Sequence, residues 1–138
     1  MKVSDCRLVD IPKIPDNRGN LSFVEQNKQI PFEICRTYWI YDVPGGEERG
    51  GHAYHTNDEF IIALSGSFDV VVNDGEEERV FTLNRSYYGV YLPHGLWRSI
   101  RNFSTNSLAL EFGSVPYDES DYVFEYGHYL KLKADGKI

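Results

Sequence analysis

Little in these 138 residues points to a membrane, a nucleic acid or a disulfide framework. No apolar run approaches the roughly 18 residues of a membrane-spanning helix. Basic residues number 14 against 21 acidic ones, and the net charge of −7 argues against a partner gripped through a phosphate backbone. Only two cysteines occur, Cys6 and Cys35. They share no metal-ligand spacing and read as free thiols of a protein in a reducing compartment. The start, Met1 to Pro12, lacks the basic-then-apolar layout of a secretory signal, so a cytoplasmic location is expected. Helical periodicity, internal repeats and low-complexity segments are missing from most of the chain.

What is abundant is strand chemistry. Aromatic residues make up 14% of the chain, with ten Tyr, and they sit among β-branched residues in short alternating segments. Strands are predicted over 5–11, 21–25, 33–41, 49–54, 59–65, 68–73, 79–83, 89–92, 97–102 and 106–113. Asn73-Asp74-Gly75 carries the signal of a tight hairpin, and Pro12 and Pro15 mark a bend. Many short strands separated by turns predict an all-β sandwich or barrel, one domain over 1–138. In the segment 33–41, Arg36 and Tyr38 share one face with Ile34 and Ile40, as a polar site set in an apolar barrel would require. Near the end, Asp118 or Ser120 is positioned to cap a short helix, on which Tyr122, Tyr126 and Tyr129 would form one packed stripe.

The stretch Gly46 to Gly66 carries the chemistry. His52 follows Gly46 at the G-x5-H spacing, Tyr54 and His55 are candidate partners, and Glu59 precedes Gly66 at E-x6-G. A second segment, Pro93 to Asn102, places Pro93, Gly95 and Asn102 at P-x-G-x2-H-x3-N, with Arg98 at the His position. The two segments resemble the paired motifs of the cupin superfamily, which implies a jelly-roll barrel with a short C-terminal helix. Cupins that bind metal use the two histidines and glutamate of the first motif and the histidine of the second. A guanidinium at position 98 offers no lone pair and repels a divalent cation, so no metal is expected. Alternation along a strand puts His52 and Tyr54 on one face and His55 on the other unless a bulge intervenes. Imidazole takes and returns protons near neutrality, a phenol donates to a developing oxyanion, and arginine holds a diphosphate.

Further segments are similar to one family within that superfamily, the bacterial dTDP-4-keto-6-deoxyglucose 3,4-ketoisomerases of the WxcM-like group. They are Asp16 to Leu21, Asn27 to Phe32, Arg36 to Ile40, Arg49 to Ala53, Ser65 to Ser67 with Asp74-Gly75, and Tyr117 to Tyr122. The resemblance implies a metal-independent isomerase without a cofactor. It also implies a dTDP-linked keto-sugar substrate, a homodimer exchanging N-terminal strands, and a place in making 3-amino-3,6-dideoxy sugars for cell-surface polysaccharide. His52 matches the first histidine of the family's R-G-x-H-A-H segment, whereas Tyr54 occupies the second position and His55 follows it. The expected catalytic residues are His52, Tyr54 and His55. Arg18, Arg36, Tyr38, Glu59, Trp97 and Arg98 are expected at the substrate, with Trp97 stacking on thymine. A dTDP-sugar 3,5-epimerase, a non-catalytic sugar-binding cupin and a metal-dependent dioxygenase remain the other readings.

Overall fold

The computed structural model describes residues 1–138 throughout. Its elements are β1 (Arg7–Asp10), β2 (Lys13–Ile14), β3 (Leu21–Ser22), β4 (Arg36–Tyr41), β5 (Arg49–Tyr54), β6 (Glu59–Ser65), β7 (Phe68–Asn73), β8 (Glu78–Leu83), β9 (Tyr88–Leu92), β10 (Trp97–Arg101), β11 (Leu108–Gly113), β12 (Tyr122–Val123) and a helix α1 (Tyr126–Ala134). Two five-stranded antiparallel sheets face each other, ordered β1-β9-β6-β11-β4 and β12-β5-β10-β7-β8, and β2-β3 form a separate ribbon. This is the all-β jelly roll with a terminal helix expected from the pattern of short strands.

Period-two alternation sorts the side chains. Ile61 and Ala63 from β6, Val70 and Val72 from β7, Leu92 from β9, Ile100 from β10 and Ala109 from β11 point inward and form the apolar core. The same inward rows change character along the barrel axis. On neighbouring strands, Ile40, Ala109 and Ala63 lie in register, then Tyr38, Glu111 and Ile61, then Arg36, Gly113 and Glu59. One half of the interior is therefore apolar and closed, and the other is polar. Outside the first sheet, Phe60, Ile62 and Phe112 are covered by Ile11, Ile30 and Phe32 from the connecting segment.

The C-terminal segment differs from the helical stripe expected there. Asp118 caps only a single 3-10 turn over Glu119–Asp121, accepting from the Ser120 amide. Tyr122 then joins the sheet opposite Tyr54, and the helix begins four residues later at Tyr126. Sheet pairing satisfies the backbone that a capped helix would otherwise have used. Tyr129, on the inner face of α1, is fully buried and donates to the Gly95 carbonyl at 2.9 Å. The ribbon strand β2, set between Pro12 and Pro15, was not visible in the two-residue alternation that precedes it.

Candidate active site

The polar half of the barrel is built around Arg98. It is 2% exposed and pairs across the sheet with His52. Its Nε and Nη2 donate to the two oxygens of Glu59 at 2.8 and 2.7 Å, Nη2 also to Glu111 at 2.6 Å, and Nη1 to the Gly50 carbonyl at 2.6 Å. Gly50 adopts φ +70°, and a Cβ there would run into the Arg98 guanidinium, so a glycine is what lets the two approach. One cation thus faces two buried carboxylates, and a single proton on the pair removes the surplus charge. Arg98 holds Glu59 below its ordinary range against the cost of burial. Burial, reinforced by the charge of Glu59, raises Glu111 to about 8.

This arrangement leaves Arg98 and Glu59, both expected at the substrate, with almost every polar hydrogen and lone pair taken inside the barrel. It also bears on a cupin metal. The donor set does not fit one, since Glu59 is occupied by Arg98, the guanidinium stands where the fourth ligand would be, and no three His, Cys, Asp or Glu side chains converge.

Above this buried layer lies a row of aromatic groups. Tyr38 donates to Glu59 Oε2 at 3.1 Å, and its hydroxyl is 3.5 Å from that of Tyr54. Tyr54 donates to Tyr122 at 3.3 Å, and Arg36 Nη1 donates to the same Tyr122 oxygen at 3.2 Å. The Arg36 guanidinium lies over the rings of Tyr38, Tyr54, Tyr117 and Tyr122 at 4.9 to 5.9 Å. Burial, with Glu111 and Glu59 adding to it, pushes the Tyr38 phenol up; burial and Glu59 do the same for Tyr54. Both therefore stay protonated.

His52 sits edge-on to Tyr54 at 4.8 Å between centroids and against Tyr122 at 5.0 Å. Its Nε2 is buried without a hydrogen-bond partner. Burial, then repulsion from Arg98 and Arg36, lowers its pKa to about 3, with Glu59 only partly opposing them. The imidazole is neutral and its Nε2 lone pair or hydrogen is uncommitted, the state a general base or acid needs.

His52, Tyr54, Arg36 and Tyr38 are brought together as the strand alternation requires. The other expected residues are placed elsewhere. His55 lies beyond the end of β5, where its amide donates to the Asp121 carbonyl and the residue lines an outer groove with Thr56 and Tyr117. No bulge returns it to the His52 face. Trp97 alternates outward with Ser99 and packs against Tyr126 and Tyr129 at 5.4 and 5.9 Å, so it supports the helix and does not reach the site. Arg18 projects from the turn between β2 and β3, its side chain 90% exposed and paired only with Asp16. The tail supplies residues the sequence reading assigned to packing or left unassigned. Tyr122 is half-buried beside His52, Phe124 stacks on it at 5.1 Å, and Tyr117 and Phe124 are 66% and 58% exposed at the rim.

The model of the family described as "FdtA: WxcM-like, C-terminal" matches residues 4–134. The TDP-4-oxo-6-deoxy-alpha-D-glucose-3,4-oxoisomerase of Aneurinibacillus thermoaerophilus is 35% identical over 128 residues, 93% of this chain and 92% of that protein. A 3,4-ketoisomerase from Helicobacter canadensis superposes with a TM-score of 0.92 at 36% identity, covering 95% of this chain and 98% of the other. A His-to-Asn variant of the 3,4-ketoisomerase QdtA from Thermoanaerobacterium thermosaccharolyticum, in complex with TDP-4-keto-6-deoxyglucose, superposes with a TM-score of 0.93 at 28% identity over 96% of each chain. Matched along nearly its whole length, the chain belongs to the WxcM-like FdtA family.

Proposed function

We propose that the chain is a sugar-nucleotide 3,4-ketoisomerase that converts TDP-4-keto-6-deoxyglucose to the 3-keto isomer by proton transfer alone. The observation that carries this reading is the neutral His52 with its unpartnered, buried Nε2 beside a row of protonated phenols. The C4 ketone acidifies the C3 hydrogen. His52 removes it, the C–H electron pair becomes the C3–C4 double bond, and O4 takes up a proton from a neighbouring hydroxyl. Loss of the O3 proton to the same hydroxyl, with return of the His52 proton to C4, leaves the ketone at C3. No proton or electron is gained or lost overall, so the chemistry needs no cofactor. Arg36, half-buried at the mouth, is placed to meet the diphosphate, and the exposed rings of Tyr117 and Phe124 offer the stacking surface first expected of Trp97.

The active unit in this reading is the single 1–138 domain working in the cytoplasm as a homodimer with exchanged N-terminal strands. Support comes from the exposed thiol of Cys35 and from Ile14, Leu21, Phe23, Trp39 and Tyr41, all exposed on the ribbon and the edge strand β4. No helix is long and apolar enough to cross a membrane.

Proton NMR of purified protein with TDP-4-keto-6-deoxyglucose in heavy water tests the reaction. Formation of a 3-keto sugar nucleotide, with deuterium entering at C3 or C4 and none at C5, is the expected result. Exchange at both C3 and C5 would establish an epimerase instead, and nucleotide binding without turnover would leave a sugar-binding cupin. His52→Asn should lower kcat by roughly 10² to 10⁴-fold with little change in TDP affinity. An Asn variant at full speed would remove His52 from the mechanism.

A further inference from the structure

The helical spacing of Tyr122, Tyr126 and Tyr129 predicts a packed stripe, and the family's R-G-x-H-A-H pattern places a second histidine where this chain has Tyr54. The hydrogen count around these two phenols assigns a more specific part. A phenol owns one hydrogen and accepts through its oxygen lone pairs. The Tyr122 oxygen receives hydrogens from Arg36 Nη1 and from Tyr54, at 3.2 and 3.3 Å. Both of its acceptor positions are used, and no protein group accepts its own hydrogen. At the other end of the row, ionised Glu59 draws in the Tyr38 hydrogen at 3.1 Å. The Tyr38–Tyr54 contact at 3.5 Å is then the one link with no hydrogen left to share. Fixed charges at both ends, Glu59 and Arg36, therefore orient the row so that the Tyr122 hydrogen is the one left without a protein acceptor. The cross-strand pairing of Tyr122 with Tyr54 puts it on the His52 side, with 5.0 Å between ring centroids. An unpartnered imidazole nitrogen and a phenolic hydrogen without a protein acceptor thus belong to neighbouring rings.

Resting on the ketoisomerase reading, we infer that Tyr122 is the catalytic donor that touches the sugar oxygens, and that Arg36 and Tyr54 position it. As His52 takes the C3 proton, the carbonyl π pair moves to O4 and O4 takes the Tyr122 hydrogen. The phenolate so formed keeps its two hydrogen bonds from Arg36 and Tyr54. It recovers a hydrogen from O3 while the C3 carbonyl forms and His52 returns its proton to C4. Tyr54 fills the place of the family's second histidine as the group that turns Tyr122, without exchanging protons with the sugar itself.

The test is Tyr122→Phe, which keeps the ring and its stacking on Phe124, compared with wild type and with Tyr126→Phe on the outer face. Turnover of TDP-4-keto-6-deoxyglucose, TDP affinity by calorimetry and melting temperature are measured together. The expected result is a kcat loss of roughly 10² to 10⁴-fold with TDP affinity kept within about threefold, and no change in Tyr126→Phe. Wild-type kcat in Tyr122→Phe would overturn the inference. So would a loss of TDP affinity that tracks the loss of kcat, because that pattern marks a residue holding the site together. A wild-type protein that makes no 3-keto product would defeat the ketoisomerase reading first, and the assignment of Tyr122 with it.

Discussion

Replacing Glu111 with Gln preserves its shape while deleting one proton-binding group, and the cost should depend on pH in a defined window. In the fold Glu111 holds its proton up to about 8, whereas in the unfolded chain it releases it near 4.5. Between those values the native state binds one more proton than the unfolded state, so this group's contribution falls as pH rises, by about 1.4 kcal/mol per unit. It is fully present below the lower value and gone above the upper one. Gln has no such slope. His52 works in the opposite sense. Its pKa drops from 6.5 unfolded to about 3 folded, so acidification across that range favours the unfolded chain. The wild-type curve should therefore rise, level where the two slopes cancel, and fall toward pH 8, while Glu111→Gln keeps the acid limb and loses the alkaline one. Urea denaturation followed by tryptophan fluorescence, in small pH steps spanning both windows, gives the two curves. Subtracting one from the other cancels groups common to both proteins and isolates Glu111. A difference that stays flat from pH 4.5 to 8 would mean that Glu111 is ionised in the fold and that Arg98 neutralises both carboxylates, which would refute the single-proton account.

Two other outcomes follow from the same geometry. Arg98→Met strands the Glu59 carboxylate in the interior and should cost about 3 to 5 kcal/mol in chemical denaturation, part of it recovered by adding Glu59→Gln. Equal stability of the single and double variants would show that Glu59 is not ionised. Asp121 accepts from the Thr56 amide and hydroxyl at 2.8 Å and from the Asn57 amide at 3.1 Å, pinning the turn that precedes β12. Asp121→Ala should cost about 1 to 3 kcal/mol, speed hydrogen exchange at the Thr56 and Asn57 amides, and lower kcat by freeing Tyr122; unchanged exchange would argue that the turn is held by other means.

The barrel was legible in the sequence because its signals are local. Alternation placed Arg36 and Tyr38 on the same inward face as Ile40, and His52 with Tyr54, and the register between strands kept them there. The positive φ of Asn102 and Gly95 accounts for two of the spaced motif residues as backbone positions. What stayed hidden depends on which strand lies beside which. Nothing in Leu108 to Gly113 marks Glu111 as a partner of Arg98, because the contact forms only when β11 and β10 face each other across the barrel. Tyr122, Tyr126 and Tyr129 have helical spacing, and only the pairing of β12 with β5 reveals that the first of them belongs to a sheet. Trp97 misled for the opposite reason. A large aromatic next to a motif suggests a stacking platform, but the inward position of Arg98 obliges its neighbour to point out.

The low basicity of His52 explains why the donor side of the site matters so much. A base lowered from 6.5 to about 3 is weaker by about 5 kcal/mol at the step where it takes the C3 proton. Two things can offset such a deficit. The diphosphate of the substrate brings negative charge toward Arg36 and so reduces the repulsion that suppresses imidazolium. Stabilising the oxygen as charge develops on it contributes the rest, and a donor in a dry, preorganised site is worth several kcal/mol of that kind. Arg98 consequently has two opposed effects. It depresses His52 by charge, and it fixes Glu59, which through Tyr38 anchors the inner end of the row above it. If His52 acted alone, removing the phenolic hydrogen of Tyr122 would change little. If the proton leaves C3 only as another arrives at O4, the two variants His52→Asn and Tyr122→Phe remove the same transition state. Their losses in kcat should then be strongly non-additive, the double variant being barely slower than the slower single one. Losses that multiply would instead mean that the two groups act in separate steps.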